Sequence, residues 1–380
     1  MPVIPGKETT VQNLRIPGPT PCPPETLSEL SRQMINHRGP EFADLQGRIV
    51  TRLKAIFRTQ SEVYVYTTSG TGVMEAAIVN TLSPGDGVLA VSIGEFGDRF
   101  ADIAEAFGAD VTRLSFEPGT AAEPAAVAEA LRARPDAVAV LVTHNETSTG
   151  VTNDIAAISK AVRAVKPDVL LIVDAISSLG CIPYAADAWD VDVSTTCSQK
   201  GFMIPPGLAF ISLSPRAWAA YERSTMPKFY LDVGKYRDYA KRGQPPWTPA
   251  VSIYYGLDTA LEMMTKEGLE QVNARHYAIA DYTRAKVKTL GLTLLAEGPQ
   301  ASDTVTSVRV PEGVDAAALL GLLNKDYDTV LAAGQGKLAG KIVRIGHMGI
   351  VEREAIDAAV AALESALSRL GYKRPAPAGA

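Results

Sequence analysis

Val169-Leu170-Leu171-Ile172-Val173-Asp174 and Val191-Asp192-Val193-Ser194-Thr195-Thr196-Cys197-Ser198-Gln199-Lys200 decide the fold. Val169 to Val173 and Val191 to Thr196 are short runs rich in aliphatic, β-branched residues, which read as buried strands. The first ends on a carboxylate, Asp174, and the second is followed by an amine, Lys200. Further strand candidates are Val63 to Tyr66, Val88 to Ile93, Val111 to Phe116, Ala137 to Val142 and Leu208 to Leu213. Helical spacing fills the gaps: a helix from about Val73, one running through Phe107, then Pro124 to Ala133 and Asp154 to Val165. Such alternation predicts an α/β domain with a largely parallel sheet covered on both faces. In such sheets ligands sit beyond the carboxyl ends of the strands, where helix N-termini also point.

After about residue 255 the pattern changes. A long helical stretch (Tyr255 to Leu290) leads to strand-like Thr304 to Val310, helical Ala316 to Asn324, strand-like Lys341 to Ile345 and a closing helix near Glu352 to Leu370. The expected division is an N-terminal arm over 1–20, a large domain over 21–255, a smaller α+β domain over 256–372 and a disordered tail over 373–380. Pro227 to Pro249, rich in Lys, Arg, Tyr, Trp and Pro without a period, is long for a loop and so functional or at a subunit contact.

Composition narrows the class. The 380 residues are 46% hydrophobic and 21% charged, with no apolar run long enough to span a bilayer. A net charge of −5 without a basic block argues against nucleic acid. The N-terminus lacks the layout of a signal peptide. Cys22, Cys181 and Cys197 are scattered, so neither a disulfide framework nor a metal cluster is indicated, and a reduced cytoplasm is the simplest location.

Several strand ends carry chemistry. Thr68-Ser69-Gly70-Thr71-Gly72 lies between a strand and a helix, where backbone N–H groups and hydroxyls form an anion site. No Gly-Lys-Ser/Thr follows, so it is not a Walker A loop. Phe96, between Gly94 and Gly97, reads as a stacking platform for a flat ring or as a hinge aromatic. His144-Asn145-Glu146-Thr147-Ser148-Thr149-Gly150 is a dense polar cluster: Thr147 or Ser148 suits a phenolic oxygen, and Glu146 or Asn145 a substrate. Alone, Lys200 reads equally as a surface lysine and Asp174 as a helix cap. A phosphate cradle, an aromatic face, a hydroxyl, a carboxylate and an amine are all used together by an aromatic aldehyde bearing a phosphate. Pyridoxal phosphate needs the amine to hold it as a Schiff base and the carboxylate to keep its ring nitrogen protonated.

The chain resembles the class V (fold type I) pyridoxal-phosphate aminotransferases of the alanine/serine–glyoxylate group. The resemblance runs from Ile16-Pro17-Gly18-Pro19-Thr20 to the last helix. It rests on Ser69-Gly70-Thr71-Gly72 with Met74-Glu75-Ala76-Ala77, on Glu146-Thr147-Ser148-Thr149-Gly150, on Val173-Asp174-Ala175-Ile176-Ser177-Ser178-Leu179-Gly180, and on Ser198-Gln199-Lys200, Pro205-Pro206-Gly207 and Val343-Arg344-Ile345-Gly346. Met34 to Phe42 is most similar to bacterial members, some of which carry the label "soluble hydrogenase small subunit". The resemblance implies a large parallel-sheet domain with a smaller C-terminal α+β domain, and a homodimer with shared active sites. It implies that Lys200 forms the Schiff base and then moves the Cα proton, that Asp174 pairs with the pyridine nitrogen, and that Phe96 stacks on the ring. It implies that Ser69, Gly70, Thr71 and Gln199 hold the phosphate, that Thr147 meets the phenolic oxygen, that Thr248 completes the site of the neighbouring subunit, and that Arg344 clamps the substrate carboxylate. One departure stands out: Pro245 occupies the position where animal members carry a tyrosine, with Gln244 or Trp247 as substitutes.

The implied reaction moves an amino group from serine or alanine to glyoxylate or pyruvate by a ping-pong scheme. The alternatives are another donor (aspartate, ureidoglycine or an aminophosphonate) or an accessory subunit of a redox complex. Sulfur chemistry is disfavoured, because no cysteine follows Cys197, which strand alternation makes a packed thiol. His37-Arg38 reads as an anion contact or a turn, Gly334-Gln335-Gly336-Lys337 as a hairpin turn or a closing flap, and His347 has no partners for a metal.

Overall fold

The computed structural model describes residues 12–374. Seven strands form the large sheet, in the order Glu62–Tyr66, Ala209–Leu213, Val193–Cys197, Leu170–Asp174, Ala137–Thr143, Gly87–Ser92 and Asp110–Ser115. All neighbours run parallel except Ala209–Leu213, which is antiparallel to both of its partners. The five central strands are buried throughout or nearly so, because helices cover both faces; Gly87–Ser92, Ala137–Thr143 and Leu170–Asp174 therefore read as apolar runs, whereas Val193–Cys197 is buried although mostly Ser and Thr. Register aligns their ends. Thr143 pairs with Asp174, Asp174 with Thr195, and Ala209 with both Cys197 and Tyr66. Asp174 and the residues leading to Lys200 thus emerge at one edge.

The second sheet has four strands in the order Asn13–Arg15, Thr329–Ala333, Ile342–Gly346 and Val305–Arg309. Its helical cover includes Leu269–Thr289, Ala316–Tyr327 and Arg353–Arg369, whose buried residues Ile279, Leu319, Leu323, Ile356 and Leu363 share one core. The first strand comes from the expected N-terminal arm: Asn13 to Arg15 pair in parallel with Thr329 to Leu331. The rest of that arm, 1–11, and most of the expected tail, 375–380, lie outside the described residues.

The expected helix Tyr255 to Leu290 is two helices, Val251–Glu267 and Leu269–Thr289. They break at Gly268, whose φ of +87° an L side chain resists. The first helix carries Tyr254, Leu257, Leu261 and Met264 into the core of the large sheet, so the expected boundary at 255/256 falls inside it. Pro40–Phe57, not among the expected elements, buries Phe42, Leu45, Ile49 and Leu53 beside it. The Pro227 to Pro249 stretch contains a short helix, Val233–Ala240. Among the described residues no helix is long and apolar enough to cross a membrane.

Candidate active site

Ser69 opens the helix Gly70–Thr81 as its N-cap, its hydroxyl accepting from the Gly72 N–H at 3.3 Å. The remaining N–H groups of the first turn have no helical partner, and the helix dipole adds to their pull on an anion. Gly70 is glycine because a Cβ there would stand 2.9 Å from Ile176 Cδ1 and 3.2 Å from Cys197 Sγ. The same contacts place the cradle against the loop after Asp174 and the strand before Lys200.

Asp174 is buried. Its Oδ1 accepts from the Ile176 N–H at 2.9 Å, and Thr143 Oγ1 stands 3.5 Å from Oδ2. Burial pushes its carboxyl up to about 7, against the pull of the Ile176 hydrogen bond and of Lys200. Lys200 is partly buried, and its Nζ donates to the Pro17 carbonyl at 2.6 Å. Burial draws its pKa down; Cys197 and Asp174 oppose that, while Arg344 adds to it. Lys200 therefore senses both Asp174 and Arg344.

Arg344 lies on Ile342–Gly346 of the small sheet and is buried. Its Nε donates to the Ala333 carbonyl and its Nη1 to the Thr147 carbonyl, each at 2.9 Å. These bonds fix the plane of the guanidinium across the junction of the two sheets. Desolvation lowers its pKa and Glu146 raises it, yet a guanidinium stays charged.

Glu146 and Asn145, read from the sequence as candidate substrate groups, bond to protein partners. Glu146 is fully buried, with one oxygen accepting from the N–H groups of Phe96 (2.9 Å) and Gly97 (3.1 Å) and the other from the Ser148 N–H and hydroxyl. It caps the helix Glu95–Ala106 and so positions Phe96. Asn145 donates to the hydroxyls of Ser177 and Thr304, both at 2.8 Å, joining the large-sheet edge to the small domain. Phe96 itself is half-buried, with the Arg99 guanidinium 4.7 Å from its ring centroid, so a stacked ligand would take the opposite face.

Gln199 is half-buried beside Lys200, and Thr147 is buried with its carbonyl accepting from Arg344. Thr248 is exposed, remote in sequence from the cradle, next to the stacked pair Phe229 and Trp247. Arg38 donates to the carbonyls of Pro245 (2.6 Å) and Pro246 (3.0 Å), while Gln244 Nε2 bonds the Arg38 carbonyl at 2.9 Å. Arg38 and Gln244 therefore lock this turn in place, and Trp247 Nε1 is spent on the Tyr230 carbonyl. Gly334 to Lys337 forms a turn between the paired strands Thr329–Ala333 and Ile342–Gly346. His347 is buried, its Nε2 on Thr306 and Nδ1 facing the Asp303 carbonyl, a structural role. Cys197 is a packed thiol, pushed up to about 12 by burial.

The main group missed by sequence reading is the Ile16 to Thr20 segment as a wall of the site. In the sequence this segment marks only where the resemblance begins, with Gly18 between two prolines.

Residues 23–349 match the aminotransferase class-V family. The chain belongs to this family. A protein of Synechococcus sp. called "Soluble hydrogenase, small subunit" is 46% identical over 96% of this chain and 95% of its own length. An L-aspartate–glyoxylate aminotransferase of Paracoccus denitrificans is 40% identical over 95% of this chain and 93% of its own. The crystal structure of an alanine–glyoxylate aminotransferase from Nostoc sp. superposes with a TM-score of 0.92 at 31% identity, covering 97% of this chain and 98% of that one. This class-V aminotransferase therefore has the fold type I architecture and depends on pyridoxal phosphate. The residues present fit that group: an open helix N-terminus suits a phosphate, and a buried carboxyl with no fixed cation of its own suits a protonated ring nitrogen.

Proposed function

We propose that the chain transfers the amino group of serine or alanine to glyoxylate or pyruvate, in two half-reactions at one site. The observation that carries this reading is the convergence of Lys200, Asp174 and Arg344 at the junction of the two sheets. Bound there, pyridoxal phosphate supplies an aldehyde for amine exchange and a protonated ring that accepts the electron pair left at Cα.

The chain's own residues do the rest. The cradle of Ser69, Gly70 and Thr71, with Gln199, holds the phosphate; Thr147 meets the phenolic oxygen, and Phe96 stacks on the ring. Asp174 keeps the ring nitrogen protonated, and burial strengthens that attraction by excluding water. Lys200 supplies the anchoring amine and then holds the Cα proton. Its depressed pKa leaves more of it unprotonated near neutrality than a surface lysine would be. Arg344, already fixed by two carbonyls, grips the substrate carboxylate and so aims Cα–H at Lys200. Thr248, exposed on this chain, is offered to a neighbouring subunit in a homodimer, and three free cysteines accord with a reducing cytoplasm.

A dicarboxylic donor would call for a second cation. Arg38 donates to the Pro245 and Pro246 carbonyls, and serine or alanine needs no second cation. The test is the visible spectrum of the purified protein with L-serine, L-alanine and L-aspartate, then glyoxylate or pyruvate. Bleaching by serine or alanine and recovery with the oxo acid are expected. Bleaching by aspartate alone would overturn the donor assignment. Absence of a visible band after adding pyridoxal phosphate would overturn the reading altogether.

A further inference from the structure

The N-terminal segment crosses directly over the lysine. Lys200 Nζ donates to the Pro17 carbonyl at 2.6 Å. Gly18 comes so close to the side chain that a Cβ would stand 2.6 Å from Nζ, 2.8 Å from Cδ and 2.9 Å from Cε. Its φ of +131° also disfavours an L side chain. The segment is pinned from both domains. Thr20 donates its N–H to the Gln199 carbonyl at 3.1 Å and its hydroxyl to the Lys200 carbonyl at 3.0 Å. On the other side, Ile16 lies so tightly on the small sheet that a Cβ at Gly346 would stand 2.1 Å from the Ile16 oxygen.

We propose that the Pro17–Gly18 peptide is a built seat for the Lys200 amine, holding it by the Pro17 carbonyl whenever it is not bonded to the cofactor. This deepens the proposed function and rests on Lys200 being the amine that bonds pyridoxal phosphate. A carbonyl only accepts, so it orients one N–H of the amine and leaves the lone pair of the neutral form free. The seat fixes where the amine waits after a substrate amine has displaced it, so its return and its proton transfer start from a defined position. Pro17 and Gly18 are then positioning residues, acting through Lys200.

The test measures the amine itself. Full-length protein freed of cofactor is treated with limiting acetic anhydride, and acetylation at Lys200 is compared by mass spectrometry with that at Lys266, whose side chain is 74% exposed. In Gly18→Ala the added methyl group occupies the seat. Lys200 labelling relative to Lys266 is expected to rise about tenfold, the scale of one hydrogen bond from a charged donor. Thr20→Val removes the hydroxyl pin without a clash and is expected to raise the ratio severalfold; it decides the matter alone if Gly18→Ala does not fold. An unchanged ratio in the folded variants overturns the proposal. Borohydride reduction of the loaded wild-type protein separates the two readings: cofactor fixed on another lysine refutes the role of Lys200, whatever the labelling ratios show.

Discussion

Replacing Asp174 by Asn isolates the cost of a buried carboxyl. In the cofactor-free chain Asp174 is held near 7, against an ordinary value of 3.8. The folded chain therefore keeps a proton that the unfolded chain releases, and stability falls as pH rises from about 4 to about 7. The whole penalty above pH 7 is about 4 kcal/mol, from the shift and ~1.4 kcal/mol per pKa unit. Between pH 5.5 and 8.5 it grows by about 2 kcal/mol, because the unfolded chain is already ionised at the lower value. Asn keeps the shape and can still accept from the Ile176 N–H, but it does not titrate. Urea unfolding of cofactor-free wild-type and Asp174→Asn protein at the two pH values measures the difference. The variant should gain about 2 kcal/mol on the wild type over that interval. In the loaded enzyme the same change should lower cofactor affinity and activity by at least ~100-fold, since the ring nitrogen loses its counter-charge. A variant-minus-wild-type difference that stays flat with pH would refute the argument that Asp174 is held protonated by desolvation.

Arg344→Lys should lower kcat/KM for the amino donor by about 100-fold while leaving the cofactor spectrum intact, as a lysine ammonium offers no planar fork to a carboxylate; steady-state kinetics check this. Glu146→Gln, though nearly isosteric, should destabilise the fold by about 2–3 kcal/mol, because its amide nitrogen would face backbone N–H donors at Phe96 and Gly97 or at Ser148. Urea unfolding reads that loss. Cys197→Ala should retain donor-dependent bleaching of the cofactor spectrum, since the thiol is packed and held protonated by burial.

Most strands of the large sheet are legible because burial on both faces leaves an apolar run, whereas the edge strand Asp110–Ser115 is largely exposed and Val193–Cys197 is mostly Ser and Thr. Leu170–Asp174 and Ala137–Thr143 fall within a residue of their expected limits. The helix Pro40–Phe57 is equally legible after the fact: Gly39-Pro40 opens it, and Phe42, Leu45, Ile49 and Leu53 recur at helical spacing. Gly268 likewise marks the break in the long helical stretch. Partner choice is the part local pattern does not carry. Nothing near Glu146 in sequence announces that its carboxylate meets the helix start at Phe96, nor that Asn145 reaches Thr304. The dense polar cluster correctly signals that these groups need partners. It does not say whether a ligand or the backbone provides them.

The strand Asn13–Arg15 finds its neighbour at Thr329–Ala333, most of a chain length later. The first described residues therefore wait for nearly the last before they are secured, and with them the peptide that lies across Lys200. A growing chain on the ribosome can form the large sheet early, since all of its strands lie between Glu62 and Leu213. Its amine pocket stays open on one side until residues 329–333 have emerged. Competence to hold the lysine thus arrives at the end of synthesis, and truncation before residue 329 would take away both the support of that wall and Arg344 while leaving Lys200 and Asp174 in place.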